Sequence, residues 1–331
     1  MNDTAIVTAV HRDRYELSLD TENLYGRLKK ASFYNREEPV SFPTVGDRVE
    51  IMRNAEGDSI ILKVLERKSV FMRLNSTQGM PDQAVAANFD YVFITMSFNK
   101  DFHPSKLERY LAVTRPSGGI PVILLTKADL MEDREAILAH TAALAPGVAV
   151  HCVSSYTGEG LSELEKYLTK GNTIVLLGSS GVGKSSFVNL IAGDERMQTG
   201  EIREADSQGR HTTTFRQMIT IPEKIILPDG SIINGGGRII DTPGMRKLIM
   251  GEGTEGIELA FDDIRELISQ CRFSNCEHRT EPGCAVKKAL EDGSLDMRHW
   301  KTYLDLCKEE AYAEMRQQIL MRKNQKLRKR R

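Results

Sequence analysis

The stretch LLGSSGVGKSSFVNL, residues 176–190, carries the spacing Gly178-x4-Gly183-Lys184-Ser185. An apolar run typical of a buried strand precedes it, and KSSFVNLIAG follows as the start of a helix. Glycines let backbone N–H groups turn toward one point, and a helix N-terminus adds partial positive charge there. This context predicts a phosphate-binding loop (P-loop) and disfavours the alternative, a Gly/Ser-rich surface turn.

The loop and the first turn of the helix supply the predicted phosphate contacts. Lys184 is expected to reach the β- and γ-phosphates, and the Ser185 hydroxyl is expected to bind Mg²⁺. The residues predicted to surround the phosphates are Gly178, Ser179, Ser180, Gly181, Val182, Gly183, Lys184, Ser185 and Ser186.

The composition is that of a soluble globular protein, with 40% hydrophobic and 27% charged residues in a chain of 331. This length is sufficient for two or three domains. Neither a membrane-spanning run nor a signal peptide is recognisable, so the sequence predicts a cytosolic protein with reduced cysteines. The net charge of −1 says nothing about partners.

Residue patterns divide the chain into four segments. Residues 1–70 contain short strands separated by polar turns, which predicts a small closed β-barrel. Residues 71–83 are polar and are interpreted as a linker. Residues 84–262 alternate between strand and helix patterns, which predicts an α/β domain with a parallel sheet. Residues 263–331 are mainly helical and contain a cysteine cluster.

A tetrapeptide upstream of the P-loop indicates the base of the nucleotide. TKAD follows the apolar strand IPVILL, and ligands bind at the carboxyl ends of strands in open α/β sheets. A carboxylate at Asp129 can accept the two N–H donors of guanine, while the stem of Lys127 covers the base. Thr126 begins this motif. Ser154 and Ser155, at the end of the next strand, are candidates for further base contacts.

Two short motifs after the P-loop complete the nucleotide pattern. DTPG follows the strand GGRII, so Asp241 is expected to orient a Mg²⁺-bound water and the Gly244 N–H to sense the γ-phosphate. GRHTTT, residues 209–214, lies where a nucleotide switch is expected, and a threonine hydroxyl there can bind Mg²⁺. TKAD precedes the P-loop, whereas ordinary small GTPases place their base motif last. This order predicts a circular permutation.

The cysteine cluster has the spacing of a metal site. Cys271-x4-Cys276-x-His278-x5-Cys284 offers three thiolates and one imidazole, a closed set typical of structural Zn²⁺. The alternative is a group of unligated cysteines near a histidine. The sequence therefore predicts one structural zinc ion per chain. Cys152 is interpreted as a core residue, and Cys307 receives no role.

These motifs together indicate a known family. The sequence contains GSSGVGKSS, GRHTTT, DTPG and TKAD in permuted order, as well as the cysteine cluster. In these features it resembles the circularly permuted, ribosome small subunit-dependent GTPase A (RsgA) family of bacteria. The resemblance covers essentially the whole chain. It implies an N-terminal OB-fold, a central GTPase domain and a C-terminal zinc domain. It also implies GTP hydrolysis during late assembly of the 30S subunit, with binding of 16S rRNA and stimulation by the subunit. The protein is expected to act as a monomer.

The resemblance also bears on single residues. It favours Thr213 as the Mg²⁺-binding threonine of the switch. Thr126 stands where many GTPases have asparagine, which leaves the guanine-reading Asp129 intact. Met245 occupies the place of the water-positioning glutamine of Ras-like GTPases, so His211 is the candidate for that role. The alternative for His211 is a solvent-facing loop histidine.

The last ten residues, RKNQKLRKRR, contain seven lysines and arginines and no acid. They suit contact with RNA phosphates, and the alternative is a solvated tail. Two other functions stay open at this point: a P-loop ATPase or kinase, and a zinc-dependent RNA-binding module whose nucleotide site is only structural.

Overall fold

The computed structural model describes residues 3–11, 14–19, 22–28, 42–54, 56–73, 82–97, 102–193, 216–241, 248–249 and 255–328. These residues form two compact units. The first contains the described residues within 1–74, 82–102 and 117–248, and the second contains those within 103–116 and 249–331.

The bounds of the strands are Asp3–Val10 (β1), Tyr15–Leu19 (β2), Glu22–Leu28 (β3), Arg48–Met52 (β4), Ser59–Val64 (β5), Val70–Arg73 (β6), Gln83–Ala87 (β7), Tyr91–Ser97 (β8), Ile120–Thr126 (β9), Ala149–Val153 (β10), Thr173–Leu177 (β11), Arg216–Thr220 (β12), Lys224–Ile226 (β13), Ile232–Asn234 (β14), Arg238–Asp241 (β15) and Leu248–Ile249 (β16). The helices are Pro104–Thr114 (α1), Arg134–Leu144 (α2), Glu165–Leu168 (α3), Lys184–Ala192 (α4), Glu255–Ala260 (α5), Asp262–Ser269 (α6), Ala285–Asp292 (α7) and Met297–Arg328 (α8).

Strands β1–β5 of the first unit form the closed barrel that the sequence predicts. They pair in the order β1-β2-β3-β5-β4, and an additional β1–β4 pairing closes the ring. Side chains alternate between buried and accessible along β1, so that Val7 packs in the barrel with Leu17, Val49 and Ile61. A Cβ at Gly26 would lie 2.6 Å from the terminal methyl group of Leu17, so a larger residue here would require this buried side chain to shift.

The second part of the first unit is a parallel sheet with the order β10-β9-β8-β11-β15, and β12 pairs antiparallel with β15. Strand β12 also pairs with β1, so the sheet continues into the barrel. Strands β9 and β11 are almost fully buried, as expected for parallel strands covered on both faces. The barrel and the α/β architecture predicted from the sequence are confirmed.

The predicted linker, residues 71–83, begins with residues that form a strand. Residues 71–73 belong to β6, which pairs antiparallel with β7. Phe71 is buried and stacks on Phe89 at a centroid distance of 4.7 Å. The short strand is held by this tertiary contact, which the polar composition around it does not indicate. Residues 74–81 lie outside the described part of the chain.

The second unit contains α1 together with α5–α8. The sequence pattern places α1 in the α/β segment, but Ala112 of this helix belongs to a hydrophobic cluster with Ile257, Phe261 and Trp300. Ala112 and α5 approach closely, because a Cβ on Gly256 would lie 2.3 Å from the Ala112 carbonyl oxygen. The predicted domain boundaries at 70, 83 and 262 stay a prediction. Among the described helices, none has the length and apolar character needed to cross a membrane.

Candidate functional site

The predicted nucleotide motifs lie at one edge of the parallel sheet. TKAD begins at the end of β9, Ser154 directly follows β10, the P-loop follows β11, and β15 ends at Asp241. Because these strands are parallel and adjacent, their carboxyl ends lie side by side. The permuted order along the chain therefore leaves the motifs adjacent in space.

The P-loop adopts backbone conformations that require glycine. Gly181 and Gly183 have φ angles of 80° and 95°, and a Cβ on Gly178 would lie 2.4 Å from the carbonyl oxygen of Thr95. Helix α4 begins at Lys184, whose Nζ donates hydrogen bonds to the carbonyl oxygens of Gly178 (2.8 Å) and Ser179 (2.5 Å). The lysine ammonium therefore lies over the loop, as phosphate binding requires.

Thr126 connects the base motif to the P-loop. Its hydroxyl lies 2.6 Å from the carbonyl oxygen of Val182 and 3.1 Å from that of Met96, and the side chain is buried. The hydroxyl donates to the nearer oxygen. This hydrogen bond needs a single donor on a short side chain, and the threonine hydroxyl supplies it. Threonine can therefore occupy the first position of the motif, where asparagine is common.

Asp129 is exposed in the helical turn Ala128–Leu130, and Ser154 fixes its orientation. Ser154 Oγ donates to Asp129 Oδ1 at 2.5 Å and accepts hydrogen bonds from the N–H groups of Tyr156 and Thr157, both at 3.2 Å. Ser154 is fully buried. The structure thus gives it a contact with the carboxylate, whereas the sequence analysis proposed contact with the base itself.

The structure also describes Lys127 of TKAD and Ser155 in the loop after β10. Lys127 has a left-handed conformation with φ 61° and ψ 43°, which is uncommon for a residue other than glycine. Ser155 is half-buried next to Ser154. The left-handed backbone of Lys127 is strained. Strain of this kind occurs at ligand sites, where the surrounding structure holds the backbone in an unfavourable conformation.

Asp241 and Ser185 are the described residues that fit a magnesium ion bound with the nucleotide. Burial raises the pKa of Asp241 above its ordinary value, and the charge of Lys184 offsets only part of this rise. Asp241 Oδ2 is buried and hydrogen bonds to no described residue. A buried acceptor of this kind fits a water in the shell of a hard cation. Ser185 lies half-buried in the first turn of α4.

Three predicted site residues lie outside the described residues: His211 and Thr213 of the switch, and Gly244 of DTPG.

The second unit brings the predicted metal ligands together. The ligand atoms of Cys271, Cys276, His278 and Cys284 all lie within 4.8 Å of one another. His278 Nδ1 lies 3.6 Å from Cys271 Sγ and 3.5 Å from Cys284 Sγ, and the two sulfurs are 4.0 Å apart. Sulfurs bound to one tetrahedral Zn²⁺ at about 2.3 Å are about 3.8 Å apart, so the arrangement fits a metal ion.

Backbone amides support the ligands. Burial raises the pKa of Cys271, but hydrogen bonds from the N–H groups of Val286 and Ala285, at the start of α7, and from neighbouring cysteine thiols together outweigh this effect and lower the pKa. Cys284 caps the same helix and accepts a hydrogen bond from the Lys287 N–H at 3.3 Å. The helix N-terminus thus favours negative sulfur.

Glu281 holds the loop that carries His278. Its carboxylate accepts hydrogen bonds from the N–H groups of Glu277 and Arg279, both at 2.9 Å, and Thr280 at 3.0 Å. These bonds lower the pKa of Glu281 to about 2. His278 itself has a φ of 59°. Sequence reasoning missed Glu281, although an acid within a ligand loop is a usable signal for such a contact.

Comparison with known proteins agrees with this geometry. The family model described as RsgA GTPase matches residues 64–250. A protein from Listeria monocytogenes serotype 4b, named small ribosomal subunit biogenesis GTPase RsgA 2, is 46% identical over 92% of this chain and 83% of its own length. A protein named small ribosomal subunit biogenesis GTPase RsgA from Methanosarcina acetivorans is 37% identical over 86% of this chain and 74% of its own length.

The chain belongs to the RsgA GTPase family.

Solved structures of similar fold include YjeQ from Thermotoga maritima, with a TM-score of 0.63 and 25% identity, covering 94% of this chain and 99% of that one. A second is YloQ, described as a circularly permuted GTPase, with a TM-score of 0.60 and 24% identity, covering 95% and 96%. The predicted family and circular permutation are confirmed.

Membership in this family makes the protein a GTP hydrolase. The two alternatives from the sequence, a P-loop ATPase and an RNA-binding module with a structural nucleotide site, do not agree with it. The geometry of Asp129 is compatible with guanine recognition, because the side chain is exposed and Ser154 contacts only one of its two carboxylate oxygens.

Proposed function

We propose that this GTP hydrolase acts in the late assembly of the small (30S) ribosomal subunit, in the cytoplasm and as a monomer. The observation that carries the proposal is the 46% identity, over 92% of this chain, to a relative named for small-subunit biogenesis. GTP and GDP are its nucleotides, and the 30S subunit with its 16S rRNA is its partner. Hydrolysis is stimulated by the subunit.

The nucleotide is held by the motifs at the edge of the sheet. The N–H groups of the P-loop and the ammonium of Lys184 bind the phosphates, and Asp129 reads guanine. Mg²⁺ bound with GTP neutralises phosphate charge, and Ser185, Thr213 and Asp241 are the residues that hold it and its water shell. The buried Oδ2 of Asp241, which has no hydrogen-bond partner in the described part of the chain, supports this assignment.

The attacking water is oriented by His211, since Met245 replaces the glutamine that has this role in Ras-like GTPases. A histidine near neutral pH can accept a hydrogen bond from water and take up its proton. Thr213 binds Mg²⁺ from the same switch segment, and Gly244 senses the γ-phosphate. The 30S subunit orders this machinery and thereby stimulates hydrolysis.

The metal of the second unit is one structural Zn²⁺ per chain. Three cysteines and one histidine close a tetrahedral site without an open position, so the ion stabilises the fold and does not bind substrate. We place the domains at 1–70 for the OB-like barrel, 84–262 for the GTPase domain and 263–331 for the zinc domain. The segment 71–83, with its first residues in β6, connects the barrel and the GTPase domain.

The basic C-terminal segment 322–331 contributes to rRNA binding through phosphate contacts. Helix α8 extends to Arg328, so most of this segment belongs to one helix of 32 residues. Each lysine or arginine that neutralises a phosphate adds about 0.7–0.9 to the slope of log affinity against log salt. The segment contains seven such residues.

Co-sedimentation with purified 30S subunits tests the proposal. The full chain is expected to sediment with the subunit in the presence of a non-hydrolysable GTP analogue and to dissociate with GDP. A chain ending at Met321, and a full-length chain with glutamine at the seven basic positions, are both expected to bind more weakly with a flatter salt slope. Absence of binding by the full chain would refute the ribosomal function. A salt slope unchanged in the two variants would show that segment 322–331 is solvated and does not contact RNA phosphates.

A further inference from the structure

The second unit contains a cavity of about 250 Å³ that is separate from the metal ligands. Residues of helices α5, α6 and α8 line it, and Ile257, Ile268 and Tyr303 give it apolar walls. Sites for drug-sized ligands measure roughly 300–1,000 Å³. The cavity therefore suits a smaller ligand, of the size of one long amino-acid side chain.

Glu310 lines this cavity as a buried acid, with 8% of its surface exposed. Its Oε1 atom is buried and hydrogen bonds to no group among the described residues. Burial, followed by the charges of Glu314 and Glu258, raises the pKa of Glu310. A carboxyl group in this position costs folding free energy, which a bound cation would offset.

Among the described residues, the other titratable groups around the cavity leave Glu310 without a positive partner. Arg265 lines the cavity, but its guanidinium contacts Glu258 at 3.6 Å and Asp262 at 3.8 Å. Burial raises the pKa of Cys307, and that of Tyr303 to about 12, so both side chains are neutral near pH 7. The cavity thus combines apolar walls with an unpaired acid.

We propose that this cavity binds an organic cation, namely a primary ammonium or guanidinium group on a short apolar stem. The charged group bonds to Glu310, and the stem packs between Ile257, Ile268 and Tyr303. An ammonium or guanidinium group supplies donors to the Glu310 carboxylate that lines the cavity, in a charge-assisted hydrogen bond. The cation is either a free polyamine or the side chain of a lysine or arginine in a protein partner.

The chain contains a reporter for such binding. Trp300 is its only tryptophan and stacks on Tyr303, with a centroid distance of 5.4 Å and an interplanar angle of 23°. A ligand that contacts Tyr303 is expected to change the emission of Trp300. The full-length, zinc-loaded protein is titrated with putrescine, agmatine, N-acetyl-lysine methylamide and the neutral analogue 1-butanol.

Saturable changes with the cationic probes and none with 1-butanol are the expected result. Glu310→Gln keeps the side-chain shape, removes the charge and is expected to weaken binding by about tenfold or more. Asp305→Asn is the matched control, because it removes an exposed carboxylate from the same helix and is expected to leave affinity unchanged. Metal content and thermal unfolding confirm that each variant is folded.

Several outcomes would overturn the proposal. Absence of saturable binding of any cationic probe to the wild-type protein is one, and equal binding of 1-butanol is another; neither depends on the folding of a variant. Equal affinity of a folded Glu310→Gln variant would also refute it. Binding of putrescine and agmatine alone assigns the cavity to free polyamines, whereas binding of the lysine derivative assigns it to a protein side chain.

Discussion

Ser154 Oγ donates a hydrogen bond of 2.5 Å to Asp129 Oδ1 across the carboxyl ends of β9 and β10. The serine is fully buried, and the N–H groups of Tyr156 and Thr157 fix its oxygen in turn. An exposed aspartate in a short turn is free to rotate, so this bond sets the direction of the carboxylate. We therefore expect selectivity for the base to depend on Ser154 as well as on Asp129.

Ser154→Ala is expected to weaken GTP and GDP binding by about 10- to 100-fold. A hydrogen bond to a charged group contributes about 1.5–3 kcal/mol, and its loss frees the Asp129 carboxylate. Equilibrium titration with a fluorescent guanine nucleotide measures the effect. Ser162→Ala, an exposed serine in the same connection after β10, serves as the control. Equal affinities of the two variants would show that Ser154 has no positioning role.

Asp129→Asn is expected to change the base preference. The amide replaces an acceptor by a donor, which suits the carbonyl of xanthine in place of the amino group of guanine. Binding of GTP is expected to fall and that of xanthosine triphosphate to rise, as measured by competition titration. Asp229→Asn, in the exposed turn between β13 and β14, controls for the lost charge. An unaltered preference would rule out Asp129 as the guanine-reading residue.

Cys276→Ser is expected to release the metal and unfold the region from about residue 263 onward, while GTP binding is retained. Zinc binding contributes about 10–16 kcal/mol in small peptides, as much as the whole stability of a domain, about 5–15 kcal/mol. Metal analysis measures the loss, and Trp300 fluorescence reports unfolding because its ring contacts His278 at 5.5 Å. Cys307→Ser is the control. One retained equivalent of zinc would mean that the ligand set is different.

His299 is expected to make the stability of the second unit depend on pH. Burial lowers its pKa, but hydrogen bonds to Asp263 and Glu108 and their charges outweigh burial and raise the pKa from 6.5 to about 9. The folded protein therefore binds this proton more tightly than the unfolded chain does. Protonated His299 therefore contributes ~3 kcal/mol to the free energy of unfolding of the second unit. This contribution is fully present below pH 6.5 and is lost as the pH rises through about 9.

Denaturant unfolding of the wild type and of His299→Gln across this pH range measures the contribution. The difference in unfolding free energy is expected to be largest below pH 6.5 and to shrink toward and above about 9. A difference that stays constant over the whole range would show that His299 stabilises the unit through packing, such as its stacking on Phe261 at 4.9 Å, and carries no extra proton.

The sequence predicts most of the nucleotide site because its motifs follow strands, and the carboxyl ends of parallel strands share an edge. Local patterns alone therefore predict that Thr126, Gly178 and Asp241 lie at strand ends, where the fold has them. The metal ligands are equally predictable, since spacing and ligand chemistry determine them. Ser154 shows the limit, because its contact with Asp129 joins two loops that are 25 residues apart.

Long-range packing accounts for the other differences. Helix α1 has the pattern of a helix in an α/β domain, yet Glu108 on it is buried and contacts His299, 191 residues later. Phe71 lies in a polar segment but is buried against Phe89. Glu310 is one of several acids on a long polar helix, and only the fold buries its Oε1 and places the residue at the wall of a cavity. Nothing in the local sequence distinguishes these residues from their neighbours.

The rate of GTP hydrolysis by the purified protein, measured with and without 30S subunits, tests whether the small subunit activates this GTPase. We expect slow turnover alone and a rise with the subunit of up to about 10³–10⁵-fold, as when a partner completes a GTPase site. His211→Ala is expected to bind GTP normally and to lose most of the stimulated rate, whereas His140→Ala, an exposed histidine on α2, retains it. Equal rates with and without 30S subunits would refute activation by the subunit.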